Sequence, residues 1–392
     1  MTSRERVLKT INHEEPDRIP IDFGACCWSI VDAPNMPEHN YLRLCKYLGI
    51  KDPEPPMRGA LMSEVDNIDE RVLKRFGVDC RYLMPGGHLK KVEPGIRQGD
   101  FGLRFRQLGH YGDPDKYLWR DLNTVEEIEN CPLWPDPDDP VYIQSIYPEG
   151  LRERAKYLHE NTDYAIGMEL YFFGNLADLM TMCFGLDKWL LNMKLNPKVY
   201  YAFVNKYLNV TDKIVASILT AVGDYIDLVV IYNDFGTQMS LNMSHGDYCK
   251  FFRPYEARLV QRIKLYTKAK VIEHSCGSVW SIIKDRAEMG VDVLNPLQPL
   301  AVNMNAEYLK KNFGDIMCFH GGIDIQRLLP FGTPKEIREE VKRLIRIFGP
   351  GGEWIAAPSH NIEPETPPEN IVAMFDALQE FGSYPIKDPI KL

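Results

Sequence analysis

The chain has 392 residues, with 46 Lys and Arg against 55 Asp and Glu and a formal net charge of −9 at pH 7. That acidic balance excludes a general nucleic-acid binder, which needs a basic footprint. The 45% hydrophobic content supports a large folded core. No run approaches a membrane span, and the opening MTSRERVLKTINHEEPDR has no apolar leader region, so a cytoplasmic location is expected.

Thr2-Ser3-Arg4-Glu5 is a capping box that opens a helix with Val7, Leu8 and Ile11 on one side. RIPIDFG (18–24) and VDCRYLM (78–84) read as the first two strands. Residues 85–145 are rich in Gly, Pro and Asp and read as hairpins and loops inserted into the main fold. From 150 onward helices and strands alternate. Strands are expected at 164–170, 226–236, 270–277, 291–299, 316–322 and 353–362. Helices are expected at 150–161, 174–194, 197–222, 246–266, 278–289, 304–312 and 334–347, with a closing helix from Pro367 to Phe381. This order predicts an α/β protein: a (β/α)8 TIM barrel with an N-terminal helix, spanning residues 1–392 as a single domain with an insertion at about 85–145. An open doubly wound sheet would need a Gly-rich phosphate turn after an early strand, and no GxGxxG or Walker sequence occurs. The nine cysteines include no CxxC pair and read mostly as reduced, buried thiols.

In a barrel, the C-terminal ends of the strands converge on the mouth where barrel enzymes hold their sites. Those ends here carry Asp22, Glu169, Asn233, Asp234, His274, Cys276, Asn295, Gln298, His320, Asp324, His360 and Asn361. In VIEHSCG the apolar run turns polar at His274, and His274 and Cys276 share one face if the chain stays extended. An imidazole and a thiolate so placed suit zinc, whose catalytic sites use three protein ligands and one open position. His360 and His320 are the candidates for the third ligand, while Cys318 is expected below the mouth or turned away from it.

RERVLKTINHEEPDRIPIDFG, HSCG, FHGGID and APSHNIEPETPPENI together resemble the uroporphyrinogen decarboxylase superfamily over nearly the whole chain. Within it, the chain resembles the corrinoid-dependent methyltransferases of the O-demethylase and methylcobamide:coenzyme M types. Uroporphyrinogen decarboxylases carry an Arg-rich segment after the first strand, and guanidinium forks there clamp the substrate's carboxylates. The matching stretch here, DFGACCWSIVDAP, has no Arg. In the methylcobamide branch His274 and Cys276 correspond to zinc ligands, and the third ligand, a Cys, falls on or beside His360. The resemblance therefore implies zinc on His274, Cys276 and His360. Such a set is a harder Lewis acid than His/Cys/Cys and suits an oxygen-bearing methyl donor.

The implied reaction moves a methyl group between a small methylated compound, an O-methyl one, and a Co(I) corrinoid (cobalamin). The chain has no DxHxxG sequence, so the corrinoid is expected on a separate corrinoid protein. Glu169 and Asp234 are the candidate catalytic acids for the leaving oxygen. Asp22, Trp28, Tyr171, Asn233, Asn295 and His320 are the expected substrate-binding residues. No nucleic-acid or membrane partner is expected, and self-association as a homodimer is compatible with the sequence. Two other classes stand beside methyl transfer: a metal-free decarboxylase or lyase of the same superfamily using Asp22 or Asp234, and a non-catalytic barrel that docks a corrinoid protein.

Overall fold

A helix after each buried strand returns the chain to the same end of the sheet, so successive strands pair in parallel. The computed structural model describes residues 1–24, 26, 29–31, 40–55, 68–86, 90–107, 112–146 and 150–392. Its strands are β1 (Cys80–Leu83), β2 (Lys90–Glu93), β3 (Ile96–Gln98), β4 (Arg104–Gln107), β5 (Gly112–Pro114), β6 (Ala165–Glu169), β7 (Leu228–Tyr232), β8 (Lys270–His274), β9 (Val293–Leu297), β10 (Cys318–Ile323) and β11 (Trp354–Pro358). Seven of them form one parallel sheet in the order β1-β6-β7-β8-β9-β10-β11. The other four, β2 to β5, form an antiparallel sheet inside the stretch expected to hold hairpins and loops.

The expected first strand, RIPIDFG, does not form. Residues 19–22 run extended between the two edges of the sheet. A single parallel bridge joins Ile21 to Ala356 in β11, and the Asp79 N–H, just before β1, donates to the Ile21 carbonyl. Pro20 has no N–H to give a ladder, and Ile21 donates its own to the Asp79 carboxylate at 2.8 Å. The result is a seven-stranded curled sheet that resembles a distorted TIM barrel, not a closed eight-stranded one. Two expected helices are also divided. The 174–194 helix becomes Leu176–Phe184 and Leu186–Leu195 around Gly185, whose φ is 83°. The 246–266 helix becomes His245–Phe251 and Arg253–Tyr266, with Pro254 in the first turn of the second.

Strand pleating sends alternate residues to two cores. Ala165, Leu228, Val230, Ile272, Val293, Cys318 and Ile355 face the interior of the curl, where Val7 and Ile11 of the helix Ser3–Ile11 pack against them. Their neighbours, such as Ile166, Val229, Val271 and Phe319, pack outward into the larger core.

The foot of the sheet repeats one device. Asp79, Asp227 and Asp292 each stand one residue before a strand, in Val78-Asp79-Cys80, Ile226-Asp227-Leu228 and Val291-Asp292-Val293. Each donates its N–H to the carbonyl of Ile21, Ile166 or Val271 respectively. Each carboxylate accepts the N–H of that same residue, at 2.8, 2.9 and 2.9 Å. Arg6 and Arg18 also bind Asp79, and Arg4 binds Asp227.

Candidate metal centre

The same pleating that sends aliphatic residues inward aims the last residue of several strands into the mouth. Two residues above Val230 comes Tyr232, above Ile272 comes His274, above Val293 comes Asn295, and above Cys318 comes His320. Tyr232, His274 and Asn295 are register partners across β7, β8 and β9. Cys318 lies below the mouth, on the same face as His320, which meets the expectation for it.

Four buried side chains form a hydrogen-bonded row. Asp22 Oδ2 lies 2.9 Å from His320 Nε2. His320 Nδ1 lies 2.6 Å from Asn295 Nδ2, and Asn295 Oδ1 lies 2.6 Å from His274 Nδ1. With the amide in this orientation both imidazole tautomers follow. His320 accepts at Nδ1 and donates from Nε2 to Asp22. His274 donates from Nδ1, which leaves a lone pair on Nε2.

That Nε2 is 3.4 Å from Cys276 Sγ. The His360 ring meets the His274 ring edge-on, with centroids 5.1 Å apart. One ligand atom from each of His274, Cys276 and His360 lies within 4.8 Å of the others. His320, the rival third ligand, is not in this group, and both its ring nitrogens are engaged in the row. Burial pushes His274 down to about 4 and His360 down to about 3. Both imidazoles are therefore neutral near pH 7, the form that ligates metal. Burial, with Asp234 and Asp178 nearby, pushes the Cys276 thiol well up, a shift a bound divalent cation would reverse. The donor set of two imidazole nitrogens and one sulfur fits zinc.

Cys276 is placed by its loop. Its N–H donates to Asp234 Oδ1 at 2.7 Å, and the Gly277 N–H donates to Gln298 at 2.8 Å. Gly277 has a φ of 82°, and a Cβ there would sit 2.5 Å from the Gly236 backbone. Only glycine allows this contact between the loops after β7 and β8. Gly277→Ala should therefore displace the Cys276 backbone and weaken zinc binding by about 10-fold or more, on the scale of disrupted support around a metal. Competition with a chromophoric chelator would measure this, and unchanged affinity would count against the loop's role.

Of the two expected acids, Asp234 stands against the cluster and Glu169 stands on β6 with the Tyr232 hydroxyl donating to it. Asp178 faces Asp234, and its carboxylate accepts the Asp234 N–H at 3.2 Å. Burial pushes both aspartates up, and at Asp178 the Asp234 charge adds to the rise. Asp22 joins the row, bound also by the Tyr82 hydroxyl at 2.5 Å. Tyr171 packs edge-on against Tyr232. Trp28 lies outside the described residues. Asn233 is not brought to the mouth. One residue beyond Tyr232, it turns outward, and its Oδ1 accepts the Leu176 and Ala177 N–H groups at 3.0 and 3.1 Å. Tyr82 and Asp178 were not singled out in the sequence. For Tyr82 a signal existed: Gly167 on the neighbouring strand, where a Cβ would lie 2.5 Å from the Tyr82 ring.

Behind β8, the outward Glu273 lies 3.0 Å from Arg286, both fully buried. Glu256 joins them and accepts the Tyr248 hydroxyl at 2.7 Å. Burial and the Glu273 charge push the Glu256 carboxyl well above its ordinary value, so it is the protonated member. A carboxyl whose folded pKa is raised contributes stability that is full below its unfolded pKa and is lost as pH rises toward the folded one. Glu256→Gln keeps the hydrogen bonding without the titration. It should flatten the fall in stability above about pH 5 and leave the variant more stable than the parent at pH 8. Urea denaturation across that range is the measurement, and parallel curves would contradict the assignment.

A profile of uroporphyrinogen decarboxylase (URO-D) matches residues 172–381. Uroporphyrinogen decarboxylase of Pseudoalteromonas translucida is 30% identical over 152 residues, 39% of this chain and 37% of that protein. Uroporphyrinogen decarboxylase of Christiangramia forsetii is 24% identical over 302 residues, 71% of this chain and 82% of that one. The chain spans half or less of the length of several such curated relatives, 37%, 50% and 42% of three of them. Among solved structures, a methyltransferase from Methanosarcina mazei superposes with a TM-score of 0.63 at 16% identity, covering 97% of this chain and 99% of that one, which shows a shared fold. The profile covers more than half of the 392 residues and contains every member of the His274, Cys276 and His360 cluster, and on that ground the chain belongs to the uroporphyrinogen decarboxylase family.

Proposed function

We propose that the chain is a zinc-dependent methyltransferase that moves a methyl group between a small O-methyl compound and the Co(I) corrinoid of a separate protein. The observation that carries this reading is the convergence of His274, Cys276 and His360, with the His274 tautomer held by Asn295. Zinc in that site would act as a Lewis acid on the substrate's methylated oxygen. Asn295 and His320 keep His274 Nε2 directed at Cys276. Asp234 fixes the Cys276 N–H through one oxygen, and its raised pKa lets it carry a proton for the departing oxygen. Tyr232 and Tyr171 wall the mouth and exclude water.

A second reading, decarboxylation of an acid, is favoured by the matches to uroporphyrinogen decarboxylases, which weigh more toward it than toward methyl transfer. A cavity of about 280 Å³ beside β1 is lined by Asp22, Tyr82, Arg81 and Arg154 among others. Arg81 is committed there to Glu70, at 3.0 and 2.9 Å, which reduces its use as a carboxylate clamp.

One assay separates the readings. Zinc-loaded protein is mixed with a reduced corrinoid protein and a panel of methyl ethers, and in parallel with uroporphyrinogen and smaller acids. Zinc-dependent corrinoid methylation, seen by absorbance, supports the first reading. Carbon dioxide release with no corrinoid methylation replaces it with the second.

A further inference from the structure

A second group of metal-binding side chains lies among the outer helices. His245 opens the helix His245–Phe251, Cys249 stands one turn later, and Asp285 lies in the helix Ile283–Met289. His245 Nε2 is 2.8 Å from Asp285 Oδ2 and 3.6 Å from Cys249 Sγ, and Cys249 Sγ is 3.9 Å from Asp285 Oδ1. One ligand atom from each of the three lies within 4.8 Å of the others. Ligands spaced i and i+4 on one helical face are a common metal-chelating arrangement.

A tetrahedral zinc with bonds of about 2.0–2.3 Å has ligand-to-ligand edges of roughly 3.3–3.8 Å. The His245 Nε2 to Cys249 Sγ edge of 3.6 Å already matches that scale, Cys249 Sγ stands 3.9 Å from the other carboxylate oxygen, Oδ1, and the His245 Nε2 to Asp285 Oδ2 edge need open by only about 0.5 Å once a metal replaces the shared proton. A plain surface ion pair between His245 and Asp285 has no use for a thiol. Here the thiol faces both. The supporting contacts are also present. Arg253 Nε lies 3.0 Å from Asp285 Oδ1, so the carboxylate is oriented with Oδ2 toward His245. The next residue, Arg286, is buried against Glu273, which fixes the helix that presents Asp285.

We infer that His245, Cys249 and Asp285 form a second divalent-metal site, taking zinc with water as the fourth ligand. One thiolate and one carboxylate neutralise the ion, and the thiol proton leaves to solvent. The metal ties the helix after β7 to the helix after β8. It is separate in its ligands from the mouth cluster and independent of what that cluster does.

Cobalt(II) is the probe, because it reports thiolate ligation through a near-ultraviolet charge-transfer band. In Cys276→Ser protein, which lacks the mouth thiol, one equivalent of cobalt should still produce that band. Adding Cys249→Ser should abolish it, and His245→Ala should weaken cobalt binding at least 10-fold. In the otherwise unaltered chain, Cys249→Ser should lower zinc content by one equivalent while the circular dichroism stays unchanged. A Cys276→Ser protein with no thiolate band, or equal zinc content with and without Cys249, overturns the inference.

Discussion

Cys276→Ser should give a folded protein that binds no zinc at the mouth and, on the proposed reaction, loses several kcal/mol of transition-state stabilisation for methyl transfer, on the order of 10³-fold. Serine is a poor zinc ligand, and Cys276 is partly buried at the mouth rather than part of either core. His360→Ala should do the same. His320→Ala should retain more zinc than either, with affinity lowered only through the loosened row, because neither His320 nitrogen is offered to the cluster. Zinc content, circular dichroism and turnover on the three proteins decide the matter. Full zinc retention in His360→Ala would remove it from the ligand set.

Asn295→Leu should cost both stability and metal. The amide serves His274 and His320 at 2.6 Å each, and all three side chains are buried. Replacing it leaves two buried imidazole nitrogens without a partner, at about 1–3 kcal/mol each. It also frees the His274 tautomer, and loss of such an outer hydrogen bond typically lowers metal affinity by about 10- to 100-fold. Chemical denaturation and chelator competition measure the two effects separately. A stable variant with unchanged zinc affinity would show that the row does not set the tautomer.

The alternation of strands and helices after residue 150 was legible because each strand is a short run buried on both faces, as β6, β7, β9 and β11 are. RIPIDFG looked the same by composition. What decided against it was a missing donor at Pro20, which the segment itself shows, and a competing acceptor, Asp79, 58 residues on from Ile21, which no local pattern reveals. Strand ends were legible as the source of the site, but the parity of each end was not used. Counting in twos from Val230 places Tyr232 inward and Asn233 outward, and the structure has them so. The choice between His360 and His320 needed the partners of His320, which come from β9 and from residue 22. No local pattern carries those.

The three aspartates at the foot of the sheet have an evolutionary consequence. Asp227 and Asp292 each stitch a strand to the preceding strand, and Asp79 stitches β1 to the extended segment at Ile21, by two hydrogen bonds, one of them to a carboxylate worth about 1.5–3 kcal/mol. All of them lie at the end opposite His274, Asn295 and His320. Stability is thereby anchored at one rim and chemistry is hosted at the other. Loops at the mouth can be exchanged or lengthened by mutation without drawing on the contacts that hold the sheet together. A lineage carrying this floor is free to try new substrates above it, and selection for a new activity should leave Asp79, Asp227 and Asp292 in place while the mouth diverges.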